Sequence, residues 1–223
     1  GDYVYTVTNT PAYCYEGEVP LPRIVLDGQG TTISATDVYY SNITDSSYSF
    51  TTIIALNIQN DKQEPTIQPL LFGTTSNMYV SQNNIYVTNL NSTTIQQLGT
   101  YQTIEKTVIH RIHVEEEKIK YQASGEVPGH VLNQFSMDEY KGHFRIATTT
   151  GQVWGWGQST SKNHVYILNM NLNITGKLED LAPGEKIYSA RFMGDRGYLV
   201  TFKKVDPLSA LDLSNPTAPK VLR

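Results

Sequence analysis

An internal repeat in the C-terminal half of the chain constrains the fold more than any single residue does. Residues 167–178 (ILNMNLNITGKL) match residues 210–221 (ALDLSNPTAPKV) at an offset of about 43 positions. Two runs upstream of each copy also correspond to one another: 131–137 with 187–193, and 142–149 with 197–204. Each repeat therefore contains four short runs in which apolar residues alternate with polar ones, and turn residues separate the runs.

Four strands in about 40 to 50 residues are the sequence signature of a β-propeller blade. Two more units precede the repeat. We predict their strands at residues 77–82, 84–90, 107–115 and 118–125, and at residues 3–8, 51–59 and 65–73. No segment has a sustained apolar stripe of helical period. The chain is thus predicted to be all-β: a β-propeller fragment of about four four-stranded antiparallel blades, the first blade lacking its first strand.

The predicted strands divide one propeller domain into four parts. They are an incomplete blade with a long insertion loop (1–73), a blade (74–125), a blade with a tryptophan-containing loop (126–181) and a last blade (182–223). The blades differ mainly in the connection between their second and third strands, predicted in chain order at residues 9–50, 91–106, 148–162 and 205–207. Insertions on one side of a repeat protein typically lie on its binding face.

Trp154 and Trp156 lie in the third of these connections, within the sequence VWGWGQ. Aromatic rings can stack on sugars or hold a peptide, and tryptophan is enriched at binding hot spots. The alternative is that both side chains pack down on the blade and anchor the loop. We treat the pair as candidate binding residues for a protein or carbohydrate partner.

Composition narrows the class of protein. The chain has 223 residues and a net charge of −4, and its basic residues are scattered. Because a nucleic-acid-binding surface needs a basic patch, no nucleic-acid partner is expected. No apolar run approaches the ~20 residues of a membrane span, and the first residues, GDYVYTV, do not resemble a signal peptide.

Other features favour a location outside the cell. Charged residues make up only 17% of the chain, and there are 15 tyrosines. N-x-[ST] sequons at Asn42, Asn91 and Asn173 are possible glycosylation sites, although about three would arise by chance from this composition. The single cysteine, Cys14, excludes an intrachain disulfide and suits the cytosol equally well.

Most of the chain resembles a known family. The resemblance rests mainly on two stretches, YQASGEVPGHVLNQFSMDEYKGHFRIATTTG (121–151) and NHVYILNMNLNITGKLEDLAPGEKIYSARFMGDRGYLVTFKKVDPLSALDLSNPTAPKVL (163–222). They resemble prokaryotic, mainly archaeal, secreted proteins that contain a C-terminal β-propeller domain distantly related to WD-repeat propellers. The resemblance implies a propeller, export and an archaeal source, and it brings no catalytic residues.

Members of that family look longer than this chain. We therefore interpret the sequence as about half of a closed ring. An open set of blades would expose apolar faces and unpaired strand edges. The chain is accordingly expected to self-associate through its terminal blades.

The sequence gives only weak indications of catalytic or metal-binding residues. His110 and His113 lie near three glutamates, but in a strand they point to opposite faces. Asp138 and Glu139 could serve as a carboxylate pair, yet acidic residues before a glycine are also common in hairpin turns. The sequence contains no nucleophile motif and no phosphate-binding loop. No catalytic residue, metal or cofactor is predicted.

The sequence as a whole favours a non-enzymatic, secreted or cell-surface binding or scaffolding module for a protein or carbohydrate. A structural component of the cell envelope and an enzyme acting on polysaccharide or peptide are the alternatives.

Overall fold

The computed structural model describes residues 1–26, 28–41, 43, 47–97, 100–152, 159–202 and 208–222, without the side chains of 97 and 100–102. These residues are almost entirely strand, arranged in several mainly antiparallel sheets, which confirms the predicted fold class. The chain divides into two compact units. The first comprises residues 1–76 and 112–121, and the second comprises residues 77–111 and 122–223.

Residues 1–73 form six strands where the structure describes them. They are β1 (Tyr3–Pro11), β2 (Arg23–Leu26), β3 (Gln29–Thr32), β4 (Tyr39–Tyr40), β5 (Tyr48–Asn57) and β6 (Thr66–Gly73). Four of them form sheet 1 in the order β1-β5-β6-β4, and β2 pairs with β3 as a hairpin. The three strands predicted here correspond to β1, β5 and β6. The long insertion contains β2, β3, a 3-10 turn (Ala35–Asp37) and β4, which pairs parallel to β6.

Sheet 2 has the order β10-β9-β8-β7. Its strands are β7 (Thr75–Val80), β8 (Asn84–Gln97), β9 (Thr100–Glu115) and β10 (Lys118–Pro128). The prediction of a loop at residues 91–106 is wrong, because β8 and β9 continue through most of it. This segment contains four Thr and two Ile, residue types that favour an extended backbone.

Sheet 3 also differs from the prediction in its first strand. Residues 131–137 are predicted as one strand, but a 3-10 turn (Gln134–Ser136) interrupts them. The Asn133 side chain caps this turn by accepting a hydrogen bond from the Phe135 amide. The strands of this sheet are β11 (His130–Val131), β12 (Met137–Tyr140), β13 (His143–Thr150), β14 (Lys162–Asn169) and β15 (Ile174–Leu181).

Sheet 4 has the order β16-β17-β18-β19. Its strands are β16 (Lys186–Met193), β17 (Arg196–Phe202), β18 (Leu208–Asp212) and β19 (Lys220–Val221). Gly197 lies opposite Leu211 as Phe144 lies opposite Leu168 in sheet 3. Residue 197 of β17 thus occupies the place of residue 144 of β13, whereas the sequence repeat matches it with residue 142. The structural equivalence of these two strands is shifted by two residues from the sequence alignment.

The core of the second unit lies between its sheets, and sheet 3 is covered on both faces. One face presents Phe144, Ile146, Tyr166 and Leu168, which cluster with Tyr86 and Ile109 of sheet 2 and with neighbouring apolar residues. The other face presents Ala147, Val165 and Ile167, which cluster with Ile187, Ala190, Leu199 and Leu211 of sheet 4. Successive residues of a strand point to opposite faces, so the continuous apolar run at residues 165–168 supplies side chains to both interfaces.

Candidate binding pocket

A pocket of about 430 Å³ lies where the first strands of sheets 2, 3 and 4 come together. Its lining comes from β7, the 3-10 turn, β12 and β16, and consists of Met78, Tyr79, Val80, Gln134, Phe135, Met137, Asp138, Arg191 and Phe192. Most of these side chains are apolar or aromatic, and a few polar groups converge among them. That composition is typical of ligand sites.

Local backbone geometry positions the aromatic side chain at the pocket. The Asn133 side chain accepts a hydrogen bond from the Phe135 amide at 3.0 Å and so stabilises the 3-10 turn. The turn interrupts the strand and leaves Phe135 50% exposed. The Arg191 guanidinium lies 4.0 Å from the centre of the Phe135 ring, a cation–π contact that holds both groups in place.

The carboxylate of Asp138 is already paired inside the protein. Arg145, whose side chain is only 3% exposed, forms an ion pair with Asp138 and donates from Nη1 to the Gly194 carbonyl at 2.6 Å. The rings of Tyr140 and Phe192 lie 4.9 and 5.2 Å from its guanidinium carbon. Sequence reasoning missed Arg145 because its partners come from different hairpins.

Glu139 is paired as well. Its Oε2 accepts hydrogen bonds from Ser81 Oγ at 2.7 Å, Asn84 Nδ2 at 3.0 Å and the Tyr86 hydroxyl at 2.8 Å. Burial, and secondly the bond to Glu139, raises the pKa of Tyr86 far above its ordinary value, so the hydroxyl remains a donor. Asp138 and Glu139 lie in strand β12 rather than in a turn. Asp138 pairs with Arg145 within sheet 3, whereas Glu139 links sheet 3 to sheet 2.

Because Asp138 is already paired, Arg191 is the charged side chain of the pocket lining that a ligand could bind. Its Nη1 donates to the Ala190 carbonyl at 3.0 Å, and no ion pair joins it to a carboxylate of the described residues. The pocket therefore combines an apolar floor with a guanidinium. Such a site suits a group that has an apolar body and an anionic end.

A second pocket, of about 370 Å³, lies in the first unit between the insertion and sheet 1. Its lining is apolar or tyrosine throughout: Ala12, Val19, Leu21, Ala35, Val38, Tyr40, Tyr48, Phe50 and Leu71. Among the lining residues that the structure describes, none is charged.

The remaining predicted site residues are dispersed. Trp154, Trp156 and Asn42 lie outside the described residues, so their predicted roles remain predictions. Asn91 lies half-buried in β8, and Asn173 is exposed in the turn between β14 and β15.

The two histidines of β9 have different environments, as strand geometry predicts. His110 is buried 3.2 Å from the Asn89 side-chain oxygen, and burial lowers its pKa to about 4. His113 is half-buried, 4.0 Å from Glu115. Within the described ranges no three His, Cys, Asp or Glu side chains are grouped closely enough to hold a metal ion, and no helix is long and apolar enough to cross a membrane.

Comparison with known proteins identifies the fold family. The family model for the beta propeller domain matches residues 1–223. An uncharacterized protein of Methanocaldococcus jannaschii is 48% identical over 122 residues, 55% of this chain and 19% of that protein. An uncharacterized protein of Archaeoglobus fulgidus is 40% identical over 116 residues, 51% of this chain and 17% of that protein. The matching part of the chain thus spans less than a fifth of either relative.

Two structures of Synechocystis ACO, one cobalt-substituted and one a mutant, are also similar to the chain. Each is 10% identical and covers 80% of this chain and 44% of its own, with TM-scores of 0.42 and 0.43. We infer nothing about activity from a likeness of this size.

Proposed function

The chain belongs to the beta propeller domain family, and we propose that it is a non-enzymatic binding module, acting outside the cell, for a protein partner. The pocket at Phe135 and Arg191 is its binding site. The partner inserts an apolar side chain that is followed closely by a carboxylate. The contact between Arg191 and Phe135, beside two carboxylates that are already paired, carries this proposal.

The apolar part of the site consists of Met78, Val80 and Phe135, which are 37%, 53% and 50% exposed. Because these side chains still contact water, a partner that covers them gains hydrophobic stabilisation. A fully buried Leu or Phe side chain contributes about 1.5 to 3 kcal/mol. The apolar contact would thus supply affinity with little selectivity among apolar side chains.

The charged part of the site is Arg191, which would supply the selectivity. An arginine can bind a carboxylate through two parallel hydrogen bonds, and charge-assisted bonds of this kind are about twice as strong as neutral ones. Stacking on Phe135 reduces the freedom that the side chain would lose on binding. A carboxylate next to an apolar side chain occurs at peptide C-termini and at Asp or Glu within a chain.

The extracellular location rests on composition and on one accessible sequon. Charged residues are 17% of the chain, and the exposed turn that carries Asn173 would admit a glycan.

Fluorescence anisotropy with short labelled peptides tests the proposed function. The probe is an acetylated peptide ending in Phe with a free carboxylate, and the same peptide with a C-terminal amide is its counterpart. We expect the acid to bind at least about tenfold more tightly than the amide, and Arg191→Gln to abolish the difference. Lys177→Gln is the matched control, because Lys177 is exposed on β15 and paired with Glu179.

Equal binding of acid and amide, or an unchanged preference in Arg191→Gln, would refute the proposal. A glycan array serves as the counter-test. Tight binding of a neutral oligosaccharide that Arg191→Gln leaves unchanged would point instead to a carbohydrate partner.

A further inference from the structure

The pocket at Phe135 and Arg191 lies along one edge of β7. Met78, Tyr79 and Val80 are consecutive residues of this strand, and all three line the pocket. Successive side chains of a strand point to opposite faces of its sheet. Three residues in a row can therefore border one pocket only where the pocket lies beside the edge of the strand.

That edge has no strand beside it. Sheet 2 has the order β10-β9-β8-β7, and among the described residues β7 pairs only with β8. We call the edge of β7 that faces away from β8 the free edge. Natural proteins usually protect such edges with charged residues or proline, and Met78, Tyr79 and Val80 provide neither.

The register of the β7–β8 hairpin determines which backbone groups bond to β8. The Ser81 amide donates to the Asn84 carbonyl at 2.9 Å, and Thr88 Oγ1 donates to the Asn77 carbonyl at 3.2 Å. Both contacts fit one antiparallel register, in which residues 77 and 81 lie opposite residues 88 and 84. The backbone groups of Asn77, Tyr79 and Ser81 are therefore directed to β8.

Met78 and Val80 alternate with these residues, so their amide and carbonyl groups point to the free edge. In the described ranges no hydrogen bond joins these groups to a partner outside β8. The first strand of sheet 3 differs in this respect, because its Glu139 amide donates to the Tyr79 hydroxyl at 3.2 Å. Two donors and two acceptors of β7 are thus directed at the pocket and remain available to a ligand.

We propose that the peptide partner binds as an added β-strand along the free edge of β7, with its backbone paired to Met78 and Val80 and its carboxylate at Arg191. This inference rests on the proposed function and adds the conformation that the partner takes. Backbone pairing of this kind supplies affinity for an extended chain, while side-chain pockets supply selectivity. A helical partner cannot pair in this way, because its backbone groups already bond to one another.

The size of the pocket suits a short extended segment. A roughly cubic pocket of 430 Å³ is about 8 Å across, and an extended chain advances about 3.3 Å per residue, so about two to three residues span it. A terminal carboxylate at Arg191 and a backbone pair at β7 are therefore within reach of one short peptide.

An N-methyl scan of the peptide tests the pairing by fluorescence anisotropy. The probe is a fluorescently labelled peptide of three alanines and a C-terminal Phe acid, in which one backbone amide at a time carries a methyl group. The amides of a paired strand point alternately toward its neighbour and away from it. Methylation should weaken binding at least about tenfold at every second position, and less than about threefold at the positions between.

Two variants of Val80 test the same contact from the side of the protein. Val80→Pro removes an amide donor that the β7–β8 ladder does not use, and proline is tolerated at such edge positions. Val80→Ala is the matched control, because it shortens the side chain but keeps the donor. We expect Val80→Pro to bind the unmethylated peptide at least about tenfold more weakly than Val80→Ala.

Equal effects of methylation at all positions, or equal affinities of the two folded Val80 variants, would overturn the strand pairing. If the acid is still preferred over the amide in that result, the proposed function stands without the pairing. A peptide that binds neither as acid nor as amide would refute both. Circular dichroism establishes whether the proline variant is folded; if it is not, the scan on the wild-type chain decides.

Discussion

Replacing Arg145 by methionine should destabilise the protein strongly, although the residue lies in no predicted site. Methionine keeps the apolar stem between Tyr140 and Phe192, so the change removes mainly the charge and the donors. The Asp138 carboxylate, 22% exposed, then loses its counter-ion, and the Gly194 carbonyl loses its donor. Removing one partner of a buried ion pair lowers the free energy of unfolding by about 3 to 5 kcal/mol. Because water still reaches Asp138, we expect a loss near the lower value, about 3 kcal/mol.

Urea denaturation followed by circular dichroism measures this loss as a lower midpoint with an unchanged slope. Adding Asp138→Asn to Arg145→Met should recover at least about 1 kcal/mol, since the second change removes the unpaired charge. Lys141→Met is the control: the Lys141–Asp195 pair is also an ion pair, at 3.0 Å, but the lysine side chain is 64% exposed. Because solvent screens exposed ion pairs, a much smaller shift of the urea midpoint is expected for the control. A loss for Arg145→Met as small as the control's would refute the assigned role of the pair.

Three further predictions concern other parts of the chain. Burial lowers the pKa of His110 from its ordinary 6.5 to about 4 in the folded protein. Between these pH values the unfolded chain therefore binds more protons than the folded one. The free energy of unfolding should fall by about 2 to 3 kcal/mol as pH drops from about 6.5 to about 4. Urea titrations across that range should show the fall in wild type and not in His110→Gln. A Cβ on Gly176 would overlap the Pro216 carbonyl oxygen, so Gly176→Ala should lower the free energy of unfolding by about 1 to 3 kcal/mol; an unchanged urea midpoint would contradict the contact. If the protein is exported and glycosylated, mass spectrometry of material from its native host should find a glycan at Asn173, and an unmodified peptide there would count against that site.

The strands were largely predictable because a half-buried strand has a two-residue period that a sequence displays directly. The errors came from segments where the sequence pattern misleads. Residues 131–137 match the strand segment 187–193 in the repeat, but the Asn133 side chain caps a 3-10 turn that leaves Phe135 50% exposed. Residues 91–106 are polar enough to resemble a loop, yet two neighbouring strands continue through most of them.

The pocket was not predictable in the same way. Phe135 and Arg191 belong to successive repeats and meet only because the first strands of neighbouring sheets lie side by side. Sequence spacing within one repeat carries no information on that lateral packing. The pairing of Asp138 with Arg145 likewise depends on the β12–β13 register, and this pairing decides which charge the pocket presents.

A crystal structure of the chain soaked with the acetylated peptide acid ending in Phe tests the central claim most directly. We predict the peptide carboxylate within hydrogen-bond distance of the Arg191 guanidinium and its terminal ring against Phe135 and Met78. Peptide bound in the apolar pocket of the first unit, or an empty Arg191 pocket at millimolar peptide, would contradict the proposed site.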